Sequence, residues 1–178
     1  MIEWVDYRSK QYTVFGMKGP VRSVSDLLKR VEAYSKDNKV QIQLVNASKV
    51  YGKEHLEVAA EKAITNFDLK WNRANSLPVE ALLHASVCKQ ISEAMEFMGI
   101  KEGDWDLGVM AFTELNNLDP PKDIASGLGH EHDDSVLRPG SDVILDELGV
   151  DPLLRMMFPR EEWGNLVIER ITMFHIDR

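Results

Sequence analysis

The stretch from Asn75 to Gly99 constrains this chain more than any other. Asn75 or Ser76 can accept a hydrogen bond from a free first-turn amide, Pro78 sits where a helix tolerates a missing N–H, and Glu80 places negative charge near the positive end of the helix dipole. Gly99 supplies a stop. Between these signals Leu83, Val87, Ile91, Met95 and Met98 recur at helical spacing, while Lys89, Glu93 and Glu96 fall on the other side. The pattern predicts one long helix with a single apolar face, which needs a layer of other elements to cover it.

That layer is legible on either side. Residues 12–18 predict a short strand stopped by Gly19-Pro20. Ser23 or Ser25 opens a helix with Val24, Leu27, Leu28 and Val31 on one face. Residues 39–45 alternate polar and apolar, as a half-buried strand does. Asn46 and Ser48 then start a helix whose stripe is Leu56, Ala59, Ala60, Ala63, Ile64 and Phe67; its small residues imply close packing against a neighbour. Residues 105–112 read as a third strand and residues 116–132 as the least regular segment. Short helices follow at 142–148 and 152–157, separated by Gly149, and the β-branched run 165–176 predicts a final strand. The expectation is an α+β fold, a sheet of about four strands covered by helices, in a single domain over residues 1–178.

Composition narrows the function classes. The net charge of −8 is unevenly spread: residues 1–101 hold 15 Lys and Arg against 12 Asp and Glu, whereas residues 102–162 hold 4 against 15. An extended basic surface for duplex nucleic acid is therefore not expected, though a small positive site on the first half is compatible with these counts. No apolar run approaches the ~20 residues of a bilayer span. The first residues, Met1 to Asp6, carry neither a basic stretch nor an apolar signal core, so cytoplasm is the default location. Cys88 is the lone cysteine, which excludes an intramolecular disulfide and a multi-cysteine zinc site.

Three constellations invite chemistry. Residues 130–134, His-Glu-His-Asp-Asp, hold five potential ligands, and a third convergent ligand from His55, His84 or His175 would give a metal-dependent hydrolase built on His130 and His132. Consecutive residues of an extended segment point to opposite sides, which favours a solvated loop instead. His84 and Cys88 lie four apart, but a mid-helix thiol has no oxyanion hole beside it. Gly127-Leu128-Gly129 lacks the further spacing of a dinucleotide loop. No cofactor and no catalytic residue are expected. Lys49, Lys53, Lys62, Lys70 and Arg73 alternate with acids as on a solvated helix face. Lys53, His55, His84 and Lys89 would line a shallow cationic notch if the two alanine-rich helices pack side by side, enough for single-stranded RNA.

Three blocks carry a family resemblance. The first is Leu44-Val45-Asn46-Ala47-Ser48-Lys49-Val50 with Lys53-Glu54-His55 and Ala59-Ala60; the second runs from Asn75-Ser76 through Glu80 and Ala85-Ser86 to Lys89-Gln90-Ile91, Ala94 and Gly99; the third is Asp133-Asp134-Ser135-Val136-Leu137 with Glu169-Arg170-Ile171. Together they resemble the small kinase-associated subunit of the KEOPS complex, in its archaeal form, over residues 40–176; residues 1–38 are less recognisable. The resemblance implies a non-catalytic protein that binds the N-terminal lobe of the complex's atypical kinase and supports threonylcarbamoyladenosine modification of tRNA. It also implies binding of the single-stranded 3′ CCA end of tRNA, with Lys53, His55, Asn75, Ser76, His84, Lys89 and Gln90 as candidate contacts. The chain departs from the family where many relatives have Gly-Xaa-Arg-Gln-Ile: here Val87 and Lys89 stand in place of the glycine and the arginine, and lysine lacks arginine's planar, bidentate head. Phe97, Met98, Met156, Met157 and Phe158 are candidate apolar anchors for the kinase, if they are not core. The alternative is a kinase-regulating interaction subunit with no RNA role.

Overall fold

The computed structural model describes residues 10–174. Three strands, β1 (Gln11–Met17), β2 (Gln41–Asn46) and β3 (Leu107–Thr113), form one antiparallel sheet with β3 in the centre. Eight α-helices and three single 3-10 turns complete the described elements, the helices being α1 (Val24–Asn38), α2 (Lys53–Asp68), α3 (Leu77–Ser86), α4 (Ile91–Met98), α5 (Pro121–Gly127), α6 (Asp142–Glu147), α7 (Pro152–Met157) and α8 (Trp163–Met173).

Every residue of β3 is buried, because both faces of the sheet are covered. Leu107, Val109 and Ala111 join Phe15, Met17 and Leu44 under α1 and α5, where Leu27, Ile124, Ala125 and Leu128 complete that half of the core. Met110 and Phe112 join Val14 and Val45 on the opposite face, under Leu56, Ala59, Ala60 and Ala63 of α2 and Ala81 to Leu83 of α3. Alternation along each strand thus sorts side chains into two layers. Gly16 and Gly108 pair directly across the ladder. A Cβ on Gly108 would lie 2.9 Å from Leu56 Cδ1 and from Val45 Cγ2, so α2 rests on bare backbone there.

β1, β2, β3, α1, α6 and α7 lie within about two residues of the sequence expectation. The helix expected from Asn46 starts later: Asn46 caps only a single 3-10 turn, its Oδ1 accepting from Ser48 N–H at 2.9 Å, and Gly52 with φ +86° redirects the chain into α2. The irregular segment contains α5, entered through Pro121.

Two expectations are corrected. The fourth strand is a helix: α8 buries Leu166, Val167, Ile171 and then Phe174 at helical spacing against α2 and the 144–150 region. Tertiary burial overrides β-branched propensity. His175 and Ile176, the end of that run, lie outside the described residues. The long helix is likewise two. At Val87 the backbone turns left-handed, φ +55°, with Cys88 N–H bonded to Leu83 O and Val87 N–H to His84 O, the pattern of a helix C-terminus. A β-branched residue rarely adopts that conformation, so nothing in the sequence flagged the stop. The break lets Ala94 and Met98 of α4 fold back into the α2–α3 core.

Candidate functional site

α2 and α3 pack antiparallel, and two buried polar clusters fix them end to end. At one end the His55 ring receives Tyr51 N–H on Nδ1 at 3.0 Å and donates from Nε2 to Ala85 O at 2.7 Å. Both partners are backbone groups with fixed roles, so they select the neutral tautomer protonated on Nε2. Burial holds its pKa down at about 4, against the lesser upward pull of the Ala85 carbonyl. At the other end Glu80 Oε2 accepts from Arg73 N–H and Ala74 N–H, both at 2.8 Å, and Oε1 accepts from Asn66 Nδ2 at 3.0 Å. His84 Nε2 stands 2.8 Å from Asn66 Nδ2 and 3.4 Å from Glu80 Oε1, its ring edge-on to Phe174. Burial alone would raise the Glu80 pKa, but the contacts with His84, Asn66 and the two amides outweigh it and leave the carboxyl at about 2.

This geometry corrects the expected notch. His55 and His84 are each only 1% exposed, so both histidines brace the helices from inside and neither ring reaches a ligand. Lys89 and Gln90 are exposed between α3 and α4. Asn75 (exposed) and Ser76 (half-buried) lie at the other end of α3, about 15 Å away for a ten-residue helix. There they line an open cavity of about 350 Å³ with Phe67, Gln41 and Lys39. Lys53 bonds Asp134 Oδ2 at 2.9 Å and so spends part of its charge within the chain. The structure thus brings Asn75 and Ser76 together, and Lys89 and Gln90 together, but not all seven candidates.

One residue of this layer escaped the sequence reading. Trp71 is 51% exposed on the same connection as Asn75 and Ser76, flanked by Lys70 and close in sequence to Arg73. An aromatic residue amid lysine, asparagine and arginine in a loop was the available signal.

The apolar candidates divide as well. Met98 is fully buried and Phe97 half-buried under Lys49, so Met98 is core and not an anchor. Met156 and Met157 are 84% and 75% exposed, and Phe158 is exposed beside them. Leu153 and Val143, which the sequence reading did not single out, are exposed on the same pair of short helices. Arg155 is bonded to Asp146 and Arg160 to Asp142 nearby. Acidic Asp151, Glu161 and Glu162 remain around the apolar surface.

The 130–134 segment is structural in its visible contacts. Asp134 Oδ1 accepts from Gly16 N–H and contacts His132 Nε2, both at 3.0 Å, while His130 Nδ1 donates to Lys18 O at 2.8 Å. Asp133 Oδ1 accepts from Ser135 N–H and Asp133 Oδ2 pairs with Lys18. Among the described residues no three His, Cys, Asp or Glu are grouped to hold a metal ion; His175, a suggested third ligand, lies outside them. Cys88 is half-buried, its thiol pKa raised by burial, and it donates to Ser86 O. No helix among the described residues is long and apolar enough to cross a membrane.

Comparison of the chain with curated proteins returned no match. A family model described as kinase binding protein CGI-121 matches residues 20–137, from the entry into α1 to the turn after Asp134. That span takes in the whole sheet apart from β1, and all of α1 to α5. Covering well over half of the chain, the match shows that this protein belongs to the kinase binding protein CGI-121 family.

Proposed function

We propose that this protein is the non-catalytic, kinase-binding subunit of a KEOPS-type assembly, and that it also takes the 3′ CCA end of tRNA to support threonylcarbamoyladenosine modification. Membership of a kinase-binding family carries the first half of this reading. The surface that suits it is the exposed apolar end formed by Leu153, Met156, Met157 and Phe158, which lies beyond the matched span and would anchor the atypical kinase. Its acidic surroundings favour a kinase surface with a basic rim.

The RNA half rests on the resemblance of the Asn75–Gly99 block. In this reading the RNA is met by side chains that reach solvent, namely Lys53, Asn75, Ser76, Lys89 and Gln90. Trp71 would offer a stacking face for an unpaired base. His55 and His84 serve as positioning residues that hold α3 in place. A second reading, a kinase-regulating subunit without RNA binding, draws on one observation: both histidines of the expected RNA site are buried.

A pull-down from native extract, scored for kinase and for tRNA, separates the two. Recovery of both supports the full proposal; kinase without RNA selects the second reading; neither rejects both. Filter binding then compares intact tRNA with tRNA lacking CCA. Preferential retention of intact tRNA, weakened by Lys89→Glu, supports the RNA role, and equal retention of both RNAs rejects CCA recognition.

A further inference from the structure

The chain runs from β1 into α1 through Lys18-Gly19-Pro20-Val21-Arg22-Ser23, and Leu128-Gly129-His130-Glu131 leaves α5 beside it. Between the two segments lies an open groove of about 530 Å³. It belongs to the α1–α5 side of the sheet, where Val21, Leu27 and Leu128 form its floor in the core, and not to the α2–α3 side discussed above.

Two guanidinium groups distinguish this groove. Arg22 and Arg30 are both exposed, and among the described residues neither guanidinium has a carboxylate within 4.0 Å or a side-chain hydrogen bond. Arg155 and Arg160, by contrast, each pair with an aspartate. Arg30 is also seated: a Cβ on Gly129, whose φ is +80°, would fall 2.0 Å from Arg30 Nη1, so the guanidinium rests on backbone that only glycine leaves open. His130 is held by its bond to Lys18 O, which fixes the hydrogen on Nδ1 and leaves Nε2 as the ring's second polar atom. Of the acids at the groove, Asp26 lies 4.0 Å from Lys29 and Glu131 lies 3.7 Å from Lys18, while Glu102 and Asp106 beside it accept from Val24 N–H and Gly19 N–H.

A guanidinium presents a planar fork that matches phosphate oxygens. Arg30 sits about 9 Å along the axis of α1 from Val24, the second residue after Arg22. Two such forks along one wall of an extended groove suit successive phosphates of one strand. We propose that this groove binds the phosphodiester backbone of an RNA strand, as a second and sequence-independent contact on the face opposite α2 and α3. The proposal rests on the RNA-binding reading above and adds a site to it.

The test is filter binding of the full chain to intact tRNA and to tRNA lacking CCA, between 50 and 200 mM KCl, with far-ultraviolet circular dichroism confirming the fold. Each phosphate contact contributes about 0.7–0.9 to the slope of log affinity against log salt. The double variant R22A/R30A should therefore flatten the slope by about 1.4–1.8 for both RNAs, so that the wild type loses about tenfold more affinity than the variant over this range. The variant R22K/R30K, which keeps the charge, should retain most of the wild-type slope. Tight binding by the wild type with an unchanged slope in R22A/R30A would overturn the groove and leave the CCA reading standing. A loss confined to the CCA-bearing tRNA would overturn it too, since both arginines would then serve the 3′ end. No retention of either RNA by the wild type would overturn the groove together with the reading beneath it.

Discussion

Glu80→Gln probes the polar staple that joins the start of α3 to the end of α2. The substitution keeps size and shape but replaces a carboxylate that accepts from Arg73 N–H, Ala74 N–H and Asn66 Nδ2 with an amide having a single acceptor oxygen. One of the two faces of that amide must present hydrogens to groups that are themselves donors. The size of the effect follows from linkage: lowering a carboxyl from its ordinary 4.5 to about 2 corresponds to about 3 kcal/mol. Because the folded-state pKa is depressed, this stabilisation is fully present above pH 4.5 and disappears as pH falls towards 2. Urea denaturation followed by tryptophan fluorescence should thus show E80Q about 3 kcal/mol less stable than wild type at pH 7, with the gap closing between pH 4.5 and pH 2. A variant within about 0.5 kcal/mol of wild type at pH 7 would refute the reasoning, as would a gap that stays constant down to pH 2, since 0.5 is the scale of an ordinary surface change.

Three further outcomes follow from the same structure. His55 is held neutral with its pKa near 4 instead of 6.5, so it contributes about 3 kcal/mol that is present above pH 6.5 and lost as pH falls to 4; His55→Phe should flatten the stability profile in that window, measured by denaturant midpoints at each pH. Gly108→Ala forces a methyl group to 2.9 Å from Leu56 and Val45 and should cost about 1–3 kcal/mol by thermal or chemical denaturation, whereas Gly164→Ala on α8, with nothing within 4 Å, should leave stability unchanged or slightly raised. Trp71→Ala should weaken tRNA retention by about 1–3 kcal/mol, or roughly 5–150-fold, in filter binding of protein whose fold is confirmed by circular dichroism.

The sequence made the layered core legible because alternation and helical periodicity are local signals. Strands at 11–17, 41–46 and 107–113 and the alanine stripe of α2 all announce themselves that way. What it concealed was set by tertiary burial. α3 buries Leu77 and every residue from Glu80 to Ser86, so its polar residues, Glu80 and His84, look from the sequence like a solvent face and are in fact inside. The stop at Val87 depends on a left-handed residue that carries no sequence mark unless it is glycine. Ile168, Ile171 and Thr172 favour a strand locally but sit on α8, whose apolar face packs against α2 and the 144–150 region. The candidate site was legible as a set of residue types and not as a surface. Exposure, which separates Lys89 from His84 and Met156 from Met98, arises only when the layers are stacked.

The most direct test of the account is calorimetric titration of the atypical kinase into the full chain and into the variant Met156→Asp/Met157→Asp. Both methionines lie in water in the free chain, so the variant should fold with unchanged stability. Burial of such a side chain contributes about 1.5–3 kcal/mol, so losing even one anchor predicts an affinity loss of about tenfold to 150-fold, with a less negative heat-capacity change on binding. An unaltered affinity and heat-capacity change in the folded variant would contradict the placement of the kinase on this apolar end.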